Sequence, residues 1–343
     1  MPLLDGTLLE WEDIVDEHNW QGLLLGNGLS INVWPAFDYE SLFEHATGGG
    51  LTREDLGLFE GSPNFERVLG DINTAIRVSQ AVGVDPEPFF VRYRRIQGAL
   101  GHAIRQVHLN RTRVSEDALA AIRAELCNYE VIFTTSYDLI IYWAMGHAGV
   151  WPPFVDLFKY GGDLQFDPDR ADVYAGQVPV YFLHGALHLV VGGTGVTWKL
   201  RQTAIHTLLD QFGQPIEGDP QARPLLVTEG SARDKLQAIE RNDYLSHALS
   251  QLRNLEVPLV VFGSSLSRQD QHLIDALNDH RERPIAISMR SGSRRTLAAR
   301  QADIYGRLDA TTLLFYDAST PSTGVGRPAG PLRHGYPNVR KSS

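Results

Sequence analysis

Short runs of almost unbroken Val, Ile, Leu and Phe, separated by longer stretches of helical period, constrain this chain more than any other feature. The runs are QGLLLG (21–26), EVIFTT (130–135), VPVYFLH (178–184), PLLVTE (224–229), PLVVFG (258–263), PIAISM (284–289) and TLLFYD (312–317). A strand covered on both faces has no polar side to present, so it loses the apolar–polar alternation of a half-exposed strand. Alternation of such strands with amphipathic helices predicts an α/β fold, Rossmann-like, with a mainly parallel sheet flanked by helices.

The first two runs are far apart in the chain, and the residues between them carry helical periodicity in YESLFEHA, NFERVLGDINTAIRVSQAV, PEPFFVRYRRIQGALGHAIRQVHL and SEDALAAIRAELCNY. A parallel crossover needs only one helix, so a large helical insertion over about 40–127 is expected after the first strand. Residues 145–177 and 190–223 are rich in Gly, Pro and Asp and read as loop-rich excursions. The reading is one domain over 1–317, followed by an irregular tail over 318–343.

Charge and cysteine content narrow the function. With 31 Lys and Arg against 41 Asp and Glu, the net charge of −10 disfavours direct nucleic-acid binding and anionic membrane surfaces. The single cysteine, Cys127, cannot form an internal disulfide or a cysteine-based zinc site, and its helical context reads as core. The acidic N-terminus does not resemble a secretory signal, and no apolar run approaches membrane-spanning length, so a cytoplasmic location is expected.

Polar residues cluster where the apolar runs end. GNGLS places Gly26, Asn27, Gly28 and Ser30 at a strand-to-helix turn, where glycines let backbone amides approach a phosphate; a simple tight turn would use the same residues. GSSLSRQD repeats the theme with Gly263, Ser264, Ser265 and Asp270. Ser267 reads equally as a helix cap, and Asp270 and His272 as a solvated first helical turn. TTSYD ends the second run with Thr134, Thr135, Ser136 and Asp138, of which Ser136 or Asp138 also suits a helix cap. His184 closes the third run, and an imidazole there suits general-base work near neutral pH. His188 follows four residues later, but HGALH lacks the glutamate of a zinc-binding helix, so no metal site is assigned. Carboxyl ends of parallel strands share one edge, and open α/β sheets bind ligands there. GSSLS lacks the second glycine of G-x-S-x-G, which disfavours a serine hydrolase.

In this order, GNGLS, TTSYD, LHG and VFGSSLSRQD resemble the motif series of the sirtuin-like family, in particular its bacterial NAD-cleaving branch from anti-phage defence. The resemblance runs in dispersed blocks from residue 21 to about 317. It implies NAD+ as substrate, with Gly26, Gly28 and Ser30 at the diphosphate and Asn27 at the family's small-residue position. Asp138 would lie near the nicotinamide ribose, Thr135 would be a further cofactor-binding residue, and His184 would be the catalytic histidine. Gly263, Ser264 and Ser265 would contact phosphate or ribose, and Asp270 would also belong to the cofactor-binding residues. Ser136 stands where the family usually has its catalytic asparagine, and Ser288 where an asparagine commonly reads the adenosine side. A serine offers one donor where asparagine offers two donors and a carbonyl acceptor. A single cysteine cannot build the zinc ribbon of protein-deacylating sirtuins, so NAD+ glycohydrolysis is the activity implied, without a metal. The alternative is a non-catalytic binder of NAD or an ADP-ribose-like ligand within a defence complex. The branch also implies a homo-oligomer and a partner protein, an ATPase or an Argonaute-like protein.

Overall fold

The computed structural model describes residues 4–320, except 35–36, 38, 49, 61–62, 148–152, 159–163, 170–175, 202–205, 213, 215, 217–218, 220–221 and 229–230. The tail expected over 318–343 therefore lies outside the described residues from 321 onward. The strands in chain order are β1 (Gly22–Leu25), β2 (Val131–Thr134), β3 (Phe154–Val155), β4 (Val178–Phe182), β5 (Gly185–Val191), β6 (Thr197–Lys199), β7 (Arg223–Leu226), β8 (Leu259–Phe262), β9 (Ile285–Met289) and β10 (Leu313–Asp317).

Seven strands form one sheet in the order β10-β9-β8-β1-β2-β4-β3, and every pairing in it is parallel. Each residue of β1, β8 and β9 is buried, as their unbroken apolar sequences require. The edge strand β3 has only two residues and stops short of Phe182. The Phe182 amide donates instead to the Tyr244 hydroxyl at 2.8 Å, so this buried backbone group stays satisfied. Burial raises the ionisation of that fully enclosed phenol far above its usual range.

Registers set the strand ends level. Leu25 lies across from Thr134 and from Phe262, and Thr134 lies across from Phe182. Val261 pairs with Ile287, which brings Ser288 to the same line. The segments beginning at Gly26, Thr135, Leu183, Gly263 and Met289 thus leave the sheet along one edge. After β1 the chain builds outward through β2, and it later returns to β1's other side as β8, so the topological switch lies between β1 and β8.

Helices between β1 and β2 form the expected insertion. Helix Phe65–Ala81 buries Phe65, Val68, Leu69, Ile72 and Ile76, the spacing of one helical face. Helix Glu87–Val107 packs against it with Ile96, Ala99, Leu100, Ala103 and Ile104. Fully buried Asp55 pins this module: it closes a capping box with Thr52 at the start of helix Arg53–Leu58 and takes Arg95 through two bonds of 2.6 and 2.8 Å. Burial pushes the Asp55 carboxyl up, but Arg95 and the Thr52 amide outweigh it and hold it at about 2.

One expectation is corrected. PLLVTE does form a strand, β7, but not in the main sheet; it pairs antiparallel with β5 in a three-stranded sheet ordered β6-β5-β7. The unexpected member is β5, which starts at Gly185 and is buried along all seven residues. Gly185 adopts φ +79°, and a Cβ there would lie 1.9 Å from the Leu225 carbonyl oxygen, so only glycine lets β7 approach.

Candidate functional site

The turn after β1 and the turn after β8 meet at the switch point. Gly28 N–H donates to the Gly263 carbonyl at 2.9 Å, and a Cβ on Gly26 would stand 2.4 Å from that same oxygen. Gly263 adopts φ +67°, and its own amide donates to Ser288 Oγ at 2.9 Å. These glycines therefore serve close backbone contact between two turns, and the Gly28 amide is already spent.

Beside this junction, β2 ends in a hydroxyl and carboxylate cluster. Asp138 Oδ2 accepts from both Ser30 Oγ and Ser136 Oγ, while Asp138 Oδ1 accepts from the Ile140 amide at 2.8 Å. Ser136 Oγ also lies 3.3 Å from Asn27 Oδ1, and Asn27 Nδ2 donates to the Phe37 carbonyl at 3.0 Å. Neither Ser136 nor Asp138 caps the helix Ile140–Gly146, whose N-cap position is Leu139; Asp138 instead holds its own turn through Ile140 with one oxygen and gathers the two hydroxyls with the other. His108, from the end of the insertion, braces the same loop: its Nε2 accepts from the Leu139 amide at 3.0 Å. An amide can only donate, so the His108 proton sits on Nδ1 and goes to the Leu109 carbonyl at 2.7 Å. Burial holds this imidazole neutral, against the pull of Asp138.

A second polar group stands at the end of β4. His184 Nε2 lies 2.9 Å from His272 Nε2, and both rings are buried. Next to them, fully buried Lys235 donates to Asp270 Oδ1 at 2.8 Å and to Glu66 Oε2 at 2.9 Å. Asp270 Oδ2 accepts from Ser267 Oγ at 3.0 Å. Burial depresses the His184 pKa strongly, and the Lys235 charge adds to the effect; His272 falls to about 4, mainly through burial. Burial pushes the Asp270 carboxyl up, but Lys235 outweighs it and holds it at about 2, while burial raises Glu66. His184, Asp270 and His272 each offer one donor atom within 4.8 Å of the others, a set that a divalent ion could use. Both Asp270 oxygens are already engaged, one by the Lys235 ammonium and the other by the Ser267 hydroxyl.

These groups open on one cleft of about 700 Å3, within the range of small-molecule sites. It runs from His184 beside β4 to Arg290 and Arg300 beyond β9. Four strand steps separate those ends, roughly 19 Å at an interstrand spacing of ~4.8 Å. Neither arginine forms an ion pair among the described residues, and half-buried Arg300 has its pKa lowered by burial and by Arg290. Asp317 lies at the same end, its carboxylate taken up by Ser291 and Ser319.

Of the residues singled out in the sequence, Gly26, Asn27, Gly28, Thr135, Ser136, Asp138, His184, Gly263, Ser264, Ser265, Asp270 and Ser288 all border this cleft. Ser30 does not; it is fully buried with its hydroxyl on Asp138, away from any diphosphate position. His272, read as part of a solvated helical turn, is instead buried against His184, because the apolar face of helix Gln271–Asn278 carries it inward. His188 does not join His184; it stacks on Tyr142 with ring centres 4.2 Å apart. Sequence reasoning missed Glu66, His108 and Lys235. A histidine at a helix end, as in QVHL, and a single helical lysine are too common to mark a site, so no local signal sets them apart.

A family model described as a domain of unknown function, DUF4917, matches residues 23–323. The chain belongs to this family. No curated protein matches the DUF4917 chain. Among solved structures it is similar to "Sir2 bound to acetylated peptide", at 15% identity and a TM-score of 0.37, covering 90% of this chain and 94% of that one. "Sir2-p53 peptide-NAD+" is similar at 15% identity and a TM-score of 0.35, covering 90% and 92%. "Structural Basis for the Mechanism and Regulation of Sir2 Enzymes" gives 13% identity, a TM-score of 0.38 and coverage of 91% and 92%.

Proposed function

We propose that this DUF4917 protein is an NAD+ glycohydrolase that cleaves the bond between nicotinamide and ribose. The observation carrying the reading is the level row of strand ends, which brings Asn27, Ser136, Asp138 and His184 to one end of a cleft long enough for a dinucleotide. A water oxygen bonds to ribose C1′ as the C1′–N bond breaks, and that electron pair neutralises the pyridinium ring. Nicotinamide leaves uncharged, so no strong acid is required. The water's surplus proton passes through the Ser136 hydroxyl to the Asp138 carboxylate, whose negative charge also favours the oxocarbenium-like transition state. His184 polarises a ribose hydroxyl or the water. Arg290 and Arg300 supply positive charge for the phosphate-bearing half.

The role we assign is an NAD-depleting effector in anti-phage defence. Such an activity must be held off until triggered, by self-assembly or by a partner such as an ATPase or Argonaute-like protein. Glu66, Leu100, Ile104 and His108 come from the insertion and form part of the cleft wall, which makes that module the surface through which control would act.

A second reading, a non-catalytic binder of NAD or an ADP-ribose-like ligand, is favoured by one observation: the Gly28 amide and the Ser30 hydroxyl are engaged within the protein. Incubation of purified protein with NAD+, with free nicotinamide and bound dinucleotide both measured, separates the two. Nicotinamide release supports the hydrolase; binding without release supports the sensor; neither refutes both.

A further inference from the structure

The contact between His184 and His272 constrains the chemistry beyond its location. A hydrogen bond between two Nε2 atoms at 2.9 Å requires one ring to carry its proton there and the other to present a lone pair. The far nitrogen of His272 decides which. His272 is 1% exposed, and its Nδ1 is enclosed with no hydrogen-bond partner among the described residues. If His184 donated, the His272 proton would sit on Nδ1 as a buried N–H with no acceptor, one of the rarest states in folded proteins. If His272 donates, Nδ1 holds only an unused lone pair, which is cheaper to enclose. His184 must then keep its own proton on Nδ1, the nitrogen left to the cleft.

We propose that His272 is a positioning residue that fixes His184 as the Nδ1–H tautomer, so that His184 meets a cleft ligand as a neutral hydrogen-bond donor and not as a base. The donor role rests on the glycohydrolase reading; the tautomer does not. The partner of the His184 proton is an oxygen, either a ribose hydroxyl or the attacking water. Proton acceptance falls to Asp138 and Ser136.

The charged surroundings agree. Asp270 draws both rings towards protonation, while Lys235 opposes it for both. Asp275 on His272's own helix favours protonation of His272, and Arg253 on helix Asp243–Arg253 opposes it. Glu66 acts behind Lys235. With burial dominant, both rings are neutral at pH 7.

Nitrogen-15 NMR of histidine-labelled protein reads the tautomers without any turnover. The His272 signal is assigned by its loss in His272→Gln and the His184 signal by its loss in His184→Gln; should one variant not fold, the other assigns its own ring, and the second ring follows from the coupling across the Nε2–H···Nε2 hydrogen bond. The expected result is a protonated Nδ1 and bare Nε2 on His184, with the reverse on His272. A protonated Nε2 on His184 overturns the proposal.

The donor role has its own test in nicotinamide release from NAD+. Glutamine at 272 can still donate to His184 Nε2, whereas glutamate accepts from it, shifts the proton to Nε2 and raises the His184 pKa. At pH 8, His272→Glu should fall about tenfold or more below His272→Gln. Its rate should also decline between about pH 6 and 8 as the imidazolium loses its Nδ1 proton, a limb that wild type lacks. Equal rates and equal pH profiles in the two variants overturn the donor role. A wild type that releases no nicotinamide but shows the expected tautomers refutes the glycohydrolase reading and leaves the tautomer assignment standing.

Discussion

Gly28 and Gly263 meet backbone to backbone: the amide of one donates to the carbonyl of the other at 2.9 Å, and a Cβ on Gly28 would stand 2.5 Å from the Gly263 Cα. Two strand-end turns are locked across the switch point, and the cleft is built on that lock. Gly263→Ala adds both a strained φ and a Cβ 2.8 Å from the Gly28 Cα, so we expect a loss of about 2 kcal/mol or more. Urea unfolding measures it; an unchanged midpoint would show that the turns can part without cost.

His184→Ala should lower nicotinamide release from NAD+ by ~10²–10⁴-fold. Circular dichroism is expected to match wild type. Full activity in a folded variant would remove His184 from the chemistry.

Ser136 links the cleft to Asp138, and changing it to alanine takes away one of the two hydroxyls on Asp138 Oδ2. Turnover is expected to drop by about 10²-fold. Ser136→Asn should lower turnover too, since an amide cannot take up the water's proton and pass another on to Asp138 as the hydroxyl does; turnover above wild type would remove Ser136 from the proton path.

Lys235 is a buried cation between two carboxylates. Lys235→Met leaves Glu66 and Asp270 facing one another without it, and we expect destabilisation of ~3–5 kcal/mol. Chemical denaturation at pH 7 reads this. At pH 4, protonation of Glu66, whose pKa burial already raises, should shrink the loss.

The Asp270 carboxyl is held at about 2, below its ordinary 3.8. A carboxyl depressed on folding contributes stability above its unfolded pKa and loses it as pH falls through the folded value, here about 2 kcal/mol lost between roughly pH 4 and 2. Glu66 contributes with the opposite sign, because its raised pKa favours the folded state when protonated. Asp270→Asn should flatten the acid limb of a stability–pH curve over that window. An unaltered limb would place the acid sensitivity elsewhere, with Asp55 the next candidate.

How much of this could be read from the chain differs between elements. Unbroken apolar runs marked the central strands because burial on both faces leaves a mark in every residue, and their polar ends marked the rim. Strand β5 was hidden because its partners are β6 and β7, outside the main sheet, and the histidine in HGALH masked an apolar run. Lys235 sits in ARDKLQAIE, which reads as an ordinary amphipathic helix; what distinguishes it is Glu66, 169 positions away in the chain. The His184–His272 contact likewise joins rings 88 positions apart. Pairings at such distances are products of topology, which no local pattern encodes.

The insertion contributes side chains to the cleft as well as bulk beside it. Glu66 belongs to the first turn of one of its long helices, and through Lys235 it touches the same carboxylate that flanks the histidine pair. A tilt of that helix would therefore act as a dial on the cleft's charge balance, with a single ammonium as the spindle.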